Sequence, residues 1–140
     1  MTECTPERIL IADDEPNILI SLEYLMKREG YEVHVARDGQ EALDLMQRVH
    51  PHLVLLDVMM PNKNGFEVCQ ALRADEALKD TLVLMLTAKG RDTDIAKGMG
   101  VGADAYMTKP FSTKELVVKV REMLAVPRSA GPAAAEGAAP

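Results

Sequence analysis

The stretch Leu53-Val54-Leu55-Leu56-Asp57 (residues 53–57) decides the fold class of this chain. Four consecutive apolar residues end in a carboxylate, which is typical of a strand that is buried on both faces and carries a polar group at its end. Similar apolar runs occupy residues 8–12 (RILIA) and 82–86 (LVLML). Because a strand buried on both faces needs helices above and below it, these runs predict an α/β protein with a parallel sheet.

Amphipathic stretches separate the apolar runs and predict the helices. Pro16 suits the first turn of a helix that Gly30 ends. Three further helices open on capping-box patterns, which pair Asp38 with Glu41, Asn64 with Glu67, and Ser112 with Glu115. A weaker, glycine-rich helix follows Thr87, and residues 32–36 and 105–108 are shorter strands. Five strands alternating with five helices predict a doubly wound, three-layer sandwich.

Size and charge restrict the classes of protein to which the chain can belong. Its 140 residues carry 16 Lys+Arg and 22 Asp+Glu, a net charge of −6, which disfavours nucleic acids and anionic membranes as partners. No apolar run reaches the roughly 20 residues of a membrane span, and two cysteines provide no disulfide framework. We therefore expect a cytoplasmic protein with one domain, residues 1–125, and a flexible Ala/Pro/Gly-rich tail, residues 126–140.

Polar side chains collect where the predicted strands end. Asp13 and Asp14 follow the first strand, Asp57 the third, Thr87 the fourth and Lys109 the fifth. The carboxyl ends of parallel strands meet at one edge of the sheet, which is where α/β proteins bind ligands. Because converging carboxylates repel one another unless a cation compensates, the pattern predicts a hard divalent ion such as Mg²⁺.

The same set of groups is suited to phosphoryl transfer. A carboxylate can act as the nucleophile, while Mg²⁺, an ammonium and a hydroxyl offset the charge on the phosphoryl oxygens. The sequence contains neither a G-x-x-x-x-G-K-[ST] loop nor a G-x-G-x-x-G after the first strand. The expected donor is therefore a phosphorylated partner or a small acyl phosphate and not ATP.

Four motifs in this order resemble the receiver domains of bacterial two-component response regulators. They are residues 11–15 (IADDE), 55–61 (LLDVMMP), 86–88 (LTA) and 102–111 (GADAYMTKPF), and the resemblance covers about residues 7–125. It implies a flavodoxin-like (βα)5 fold with the parallel sheet order 2-1-3-4-5.

The resemblance also implies a role for each site residue. Asp57 corresponds to the phosphoacceptor, Asp14 to a direct Mg²⁺ ligand and Asp13 to a ligand that acts largely through water. The backbone carbonyl of Met59 would complete the protein's share of the metal shell, and Lys109 would contact the phosphoryl group.

A signalling switch follows from the same resemblance. Thr87 corresponds to the hydroxyl that moves to the phosphoryl group, and Tyr106 to the aromatic ring that then turns inward. The implied donor is a histidine kinase or a histidine phosphotransfer protein, and the implied output is altered binding to a downstream protein that the sequence does not identify. Such a protein is not an enzyme, because it catalyses only its own phosphorylation and dephosphorylation.

Other readings of the sequence remain open. The chain could pass its phosphoryl group to a second histidine protein, as a phosphorelay intermediate. An aspartate-nucleophile phosphatase would carry a second Asp in place of Met59, and a flavodoxin-like cofactor protein would need a phosphate-binding loop.

Two departures from the family pattern are informative. DNA-binding response regulators place charged residues at the positions of Ile95, Gly100 and Ala105, which are apolar or small in this chain. The symmetric dimer that those regulators form is therefore disfavoured here. The large apolar side chain of Met59 predicts hindered access of water to the phosphoryl group.

Overall fold

Five parallel strands form the centre of the structure, a computed structural model that describes residues 7–60, 63–88, 100, 102–109 and 112–125. The strands run in the sheet order β2-β1-β3-β4-β5, which confirms the predicted topology. Their bounds are β1 Arg8–Ala12, β2 Glu32–Ala36, β3 Leu53–Asp57, β4 Leu82–Ala88 and β5 Ala105–Lys109. The predicted bounds of β1 and β2 are confirmed, whereas β3, β4 and β5 each extend to include the polar residue expected beyond the strand end.

Four helices cover the sheet within the described residues. They are α1 Pro16–Arg28, α2 Gly39–Val49, α3 Gly65–Ala74 and α4 Thr113–Ala125. The predicted helix after Thr87 and the predicted tail at residues 126–140 lie outside the described residues, apart from Gly100, which is helical. None of the described helices has the length and apolarity required to cross a membrane.

The predicted capping residues begin the helices. Asn64 accepts a hydrogen bond from the Glu67 amide at 2.9 Å, and the Glu67 carboxylate accepts one from the Asn64 amide at 2.8 Å. Asp38 likewise accepts from the Glu41 amide at 2.8 Å, but the Glu41 carboxylate accepts from the amide of Arg37 at 2.7 Å, one residue before the cap. The start of α2 is therefore fixed by the side chains of Asp38 and Glu41, which accept from the backbone amides of Glu41 and Arg37.

Strand residues alternate between two buried clusters, one on each face of the sheet. Alternation follows from the strand period of two, and it explains why the central strands are apolar throughout. One face packs on α1 and α4 and the other on α2 and α3. The first cluster includes Ile9, Ile11, Leu53, Leu55, Leu84 and Leu86, and the second includes Leu10, Ala12, Val54, Leu56, Val83 and Met85.

The sheet register brings the carboxyl ends of the central strands to one edge. Asp57 lies opposite Leu86, Thr87 lies opposite Thr108, and the residue after Thr87 lies opposite Lys109. The last residues of β3, β4 and β5 are therefore neighbours in space, as the sequence pattern predicts.

Candidate functional site

Three carboxylates converge at this edge of the sheet. Asp13, Asp14 and Asp57 each place one oxygen atom within 4.8 Å of the other two. Asp13 is fully buried and Asp57 is 6% exposed, whereas Asp14 is exposed to solvent. The Asp13 amide donates to the carbonyl of Ala36 at 3.1 Å, which ties the loop after β1 to the end of β2. This backbone hydrogen bond holds Asp13 in place at the end of the sheet.

Lys109 provides the positive charge of this cluster. Its Nζ lies 2.9 Å from Asp13 Oδ2 and 3.4 Å from Asp57 Oδ1. Burial lowers the pKa of Lys109, but the hydrogen bond to Asp13 and the charge of Asp57 outweigh it, so this pKa lies above its usual value. The ammonium therefore stays charged at neutral pH and bridges two of the three carboxylates.

Asp57 is held in an environment that disfavours its charged form. Burial and, after it, the charge of Asp13 raise the pKa of Asp57 from 3.8 to about 6. Lys109 and a hydrogen bond from the backbone amide of Met59 act in the opposite direction and do not cancel the rise. A second positive charge near Asp57 would remove this penalty.

The donor set fits Mg²⁺. Three carboxylate oxygens are hard ligands, and the partial exposure of the cluster through Asp14 leaves room for the waters that Mg²⁺ retains. Burial, and after it the charge of Asp13, raises the pKa of Asp57, and a divalent cation bound at the cluster would offset both effects. Met59, whose carbonyl was predicted as a fourth ligand, borders the cluster with a side chain that is 59% exposed.

Thr87 and Tyr106 occupy different environments. Thr87 is 2% exposed, and its hydroxyl has no hydrogen-bond partner among the described residues. A buried hydroxyl without a partner is costly, so it favours any state of the site that offers an acceptor. Tyr106 is 44% exposed. Thr87 directly follows Leu86, the residue opposite Asp57, and is buried, whereas Tyr106 is exposed to solvent.

Two further residues of the site were not predicted from the sequence. Glu15 Oε1 lies 3.8 Å from Lys109 Nζ, and only its position next to the acidic pair could have indicated this. Gly65 donates from its amide to the Val58 carbonyl at 2.9 Å, and a Cβ added at Gly65 would lie 2.5 Å from the Asp57 carbonyl oxygen. Only glycine allows this approach, which fixes the backbone of Asp57.

The fold is a doubly wound parallel α/β sandwich with an acidic cluster at one edge of its sheet. The sequence model of the response regulator receiver domain family matches residues 9–121. The chain therefore belongs to the receiver domains of two-component response regulators.

Solved structures agree with this assignment. A candidate response regulator from Chloroflexus aurantiacus is 35% identical with a TM-score of 0.83, and the alignment covers 87% of this chain and 100% of that one. The chemotaxis protein CheY4 of Vibrio cholerae is 32% identical with a TM-score of 0.80, covering 84% and 98%. A CheY-like receiver domain protein from Methanospirillum hungatei is 30% identical with a TM-score of 0.80, covering 86% and 94%.

Proposed function

We propose that Asp57 accepts a phosphoryl group from a phosphohistidine and that the phosphorylated chain changes its contacts with other proteins. The observation that carries this proposal is the bridge that Lys109 Nζ makes between Asp13 and Asp57, at 2.9 and 3.4 Å. It places a fixed positive charge beside a carboxylate at the open edge of the sheet. A transferred phosphoryl group would need that charge for its own oxygens.

In the transfer, an oxygen of Asp57 attacks phosphorus, a P–O bond forms and the P–N bond of the donor breaks. The electron pair of the broken bond stays on the imidazole of the donor. Lys109 donates hydrogen bonds to the phosphoryl oxygens and stabilises the charge that spreads over them. Asp13, Asp14 and the Met59 carbonyl would hold Mg²⁺ together with Asp57, and the ion supplies further positive charge to the phosphoryl oxygens when it is bound.

The hydroxyl of Thr87 links the phosphoryl group to the surface. Because it has no partner among the described residues, it gains a hydrogen bond when phosphoryl oxygens become available. Movement of Thr87 frees the space into which the exposed ring of Tyr106 turns. The exposed Tyr106 side chain of this structure and an inward one are the two states that a downstream protein distinguishes.

Asp57 is, in this proposal, a phosphoacceptor and not the nucleophile of a turnover enzyme. The donor is a histidine kinase or a histidine phosphotransfer protein, and a relay to another histidine protein is the alternative use of the same chemistry. The cytoplasmic location and the absence of nucleic-acid partners remain predictions from the sequence.

Intact mass spectrometry after incubation with Mg²⁺ and a small acyl phosphate tests the proposal. We expect a single phosphoryl adduct on the wild type and none on Asp57→Asn. A matched control, Asp44→Asn, removes an exposed carboxylate on α2 and should be phosphorylated like the wild type.

Two results would contradict the proposal. A folded wild-type protein that gains no mass in the presence of Mg²⁺ would exclude phosphoacceptor chemistry. Steady turnover of a generic phosphate ester that Asp57→Asn abolishes would identify a phosphatase instead.

A further inference from the structure

Glu15 adds a fourth carboxylate beside the acidic cluster. Its Oε1 lies 3.8 Å from Lys109 Nζ, the ammonium that Asp13 and Asp57 already contact. Because Asp57 Oδ1 lies 3.4 Å from the same Nζ atom, the Glu15 and Asp57 oxygens are no more than about 7 Å apart. The Glu15 side chain is 62% exposed, whereas Asp57 is buried. Glu15 thus holds an exposed charge close to the buried carboxylate.

The fold places the backbone of Glu15 without using its side chain. The Glu15 amide donates to Asp13 Oδ1 at 2.9 Å, and its carbonyl accepts from the amides of Ile18 and Leu19 in α1, both at 3.1 Å. A residue that precedes a helix commonly caps it with its side chain, but Glu15 makes no such hydrogen bond. Replacing this carboxylate with an amide therefore removes a charge and leaves the backbone hydrogen bonds in place.

The surroundings of Asp57 are acidic even without Glu15. The three carboxylates of the cluster and Glu15 carry four negative charges when ionised, against one positive charge on Lys109, which leaves a net charge of −3. Bound Mg²⁺ would change this sum to −1, and loss of the Glu15 charge would then bring it to zero. Because phosphodonors are anions, the charge of Glu15 opposes their approach.

We propose that Glu15 is a specificity-determining residue that selects phosphodonors by charge and favours P–N donors, the class of phosphohistidine, over acyl phosphates. The inference rests on the proposed function, because it concerns which donor reaches Asp57. Acetyl phosphate carries two negative charges at neutral pH, whereas the ammonium group of phosphoramidate leaves that P–N donor with one net negative charge. Glu15 therefore repels acetyl phosphate about twice as strongly as phosphoramidate.

The chemical step is the same for both donors. An oxygen of Asp57 bonds to phosphorus, and the bond from phosphorus to the acyl oxygen or to the nitrogen breaks. The leaving group, acetate or ammonia, keeps the electron pair. A difference between the two donors in their response to Glu15 therefore reports on their charge.

Initial rates of phosphorylation of Glu15→Gln, followed by intact mass at saturating Mg²⁺ and low donor concentration, test this inference. For one charge about 7 Å from the transferred group, we expect the rate with acetyl phosphate to rise about fourfold at low ionic strength and that with phosphoramidate about twofold. Both gains should disappear near 1 M KCl, where the screening length is about 3 Å. The matched control Glu76→Gln removes the same charge from an exposed carboxylate that pairs with Lys79 at 3.1 Å, just after α3.

The affinity for Mg²⁺ provides a second readout of opposite sign. Because the Glu15 carboxylate attracts a cation at the cluster, Glu15→Gln should bind Mg²⁺ about threefold more weakly in titration calorimetry at low ionic strength. A variant with a merely distorted site would lose both Mg²⁺ affinity and phosphorylation rate. Faster phosphorylation together with weaker Mg²⁺ binding therefore identifies a charge that acts through space.

The outcomes separate this inference from the proposed function. If the wild type is phosphorylated and Glu15→Gln reacts no faster, or gains equally with both donors, or keeps its gain near 1 M KCl, Glu15 does not select donors by charge. If neither donor adds mass to the wild type, the proposed function fails and donor selection fails with it. The Mg²⁺ titration then still shows whether the charge of Glu15 reaches the cluster.

Discussion

Replacing Asp57 with Asn should stabilise the metal-free protein at neutral pH. The Asp57 carboxylate lies in a buried cluster with Asp13, and one ammonium group, that of Lys109, serves both. Burial and the charge of Asp13 raise the pKa of Asp57 from 3.8 to about 6. Above that pH the folded state holds an unfavourable charge that the unfolded state does not, and an amide of the same shape removes it.

The pKa gives the size and the sign of the effect. A rise from 3.8 to about 6, at about 1.4 kcal/mol per pH unit, amounts to about 3 kcal/mol when Asp57 is fully charged. Solvent at the rim of the site screens part of this, so we expect the variant to gain about 1–2 kcal/mol. Because the folded pKa is raised, the wild type loses stability as the pH rises from about 4 to about 6.

Urea unfolding followed by circular dichroism measures this difference. We expect wild type and Asp57→Asn to differ little near pH 4 and by the full amount at about pH 7.5, both in EDTA. Mg²⁺ should stabilise the wild type by mass action and reduce the difference at pH 7.5. Asp44→Asn, which removes an exposed carboxylate, should unfold like the wild type at both pH values.

One result would refute the reasoning. If Asp57→Asn were no more stable than the wild type at about pH 7.5 in EDTA, while Asp44→Asn behaved as expected, the Asp57 carboxylate would not be unfavourable in the folded state. Lys109 would then fully compensate both carboxylates, and the pKa of Asp57 would not be raised.

Three other substitutions give distinct outcomes. Thr87→Val removes a buried hydroxyl without a described partner and should raise the free energy of unfolding by about 1 kcal/mol. The phosphoryl adduct on Asp57 should still form, and its loss would contradict the role of Thr87 as the hydroxyl that moves after phosphorylation. Met59→Asn should shorten the lifetime of the adduct, timed by intact mass, because water reaches the acyl phosphate more easily; an unchanged lifetime counts against shielding. Arg73→Met removes the hydrogen bonds that the guanidinium donates to three backbone carbonyls and the Asp104 carboxylate, and it should lower the free energy of unfolding, measured in urea, by about 2–4 kcal/mol. A loss below about 1 kcal/mol would show that water replaces these hydrogen bonds.

Much of the fold could be predicted because its signals are local. The apolar runs of β1 and β3 mark buried strands, and residues such as Asn64 mark helix starts through bonds to amides three residues away. The sheet order was available only through the resemblance to receiver domains. The capping box predicted for α2 was off by one residue, because the Glu41 carboxylate accepts from the amide of Arg37 and not from that of Asp38.

The sequence by itself determined which residues reach the site. Asp13, Asp57, Thr87 and Lys109 each come at the end of a predicted strand, and parallel strands bring their ends to one edge whatever the details of packing. The tertiary structure alone decided that Lys109 lies nearer Asp13 than Asp57, that the Thr87 hydroxyl has no described partner, and that Tyr106 is exposed. These are distances between separate elements, set by how the helices and loops pack on the sheet, and no periodicity within one segment encodes them.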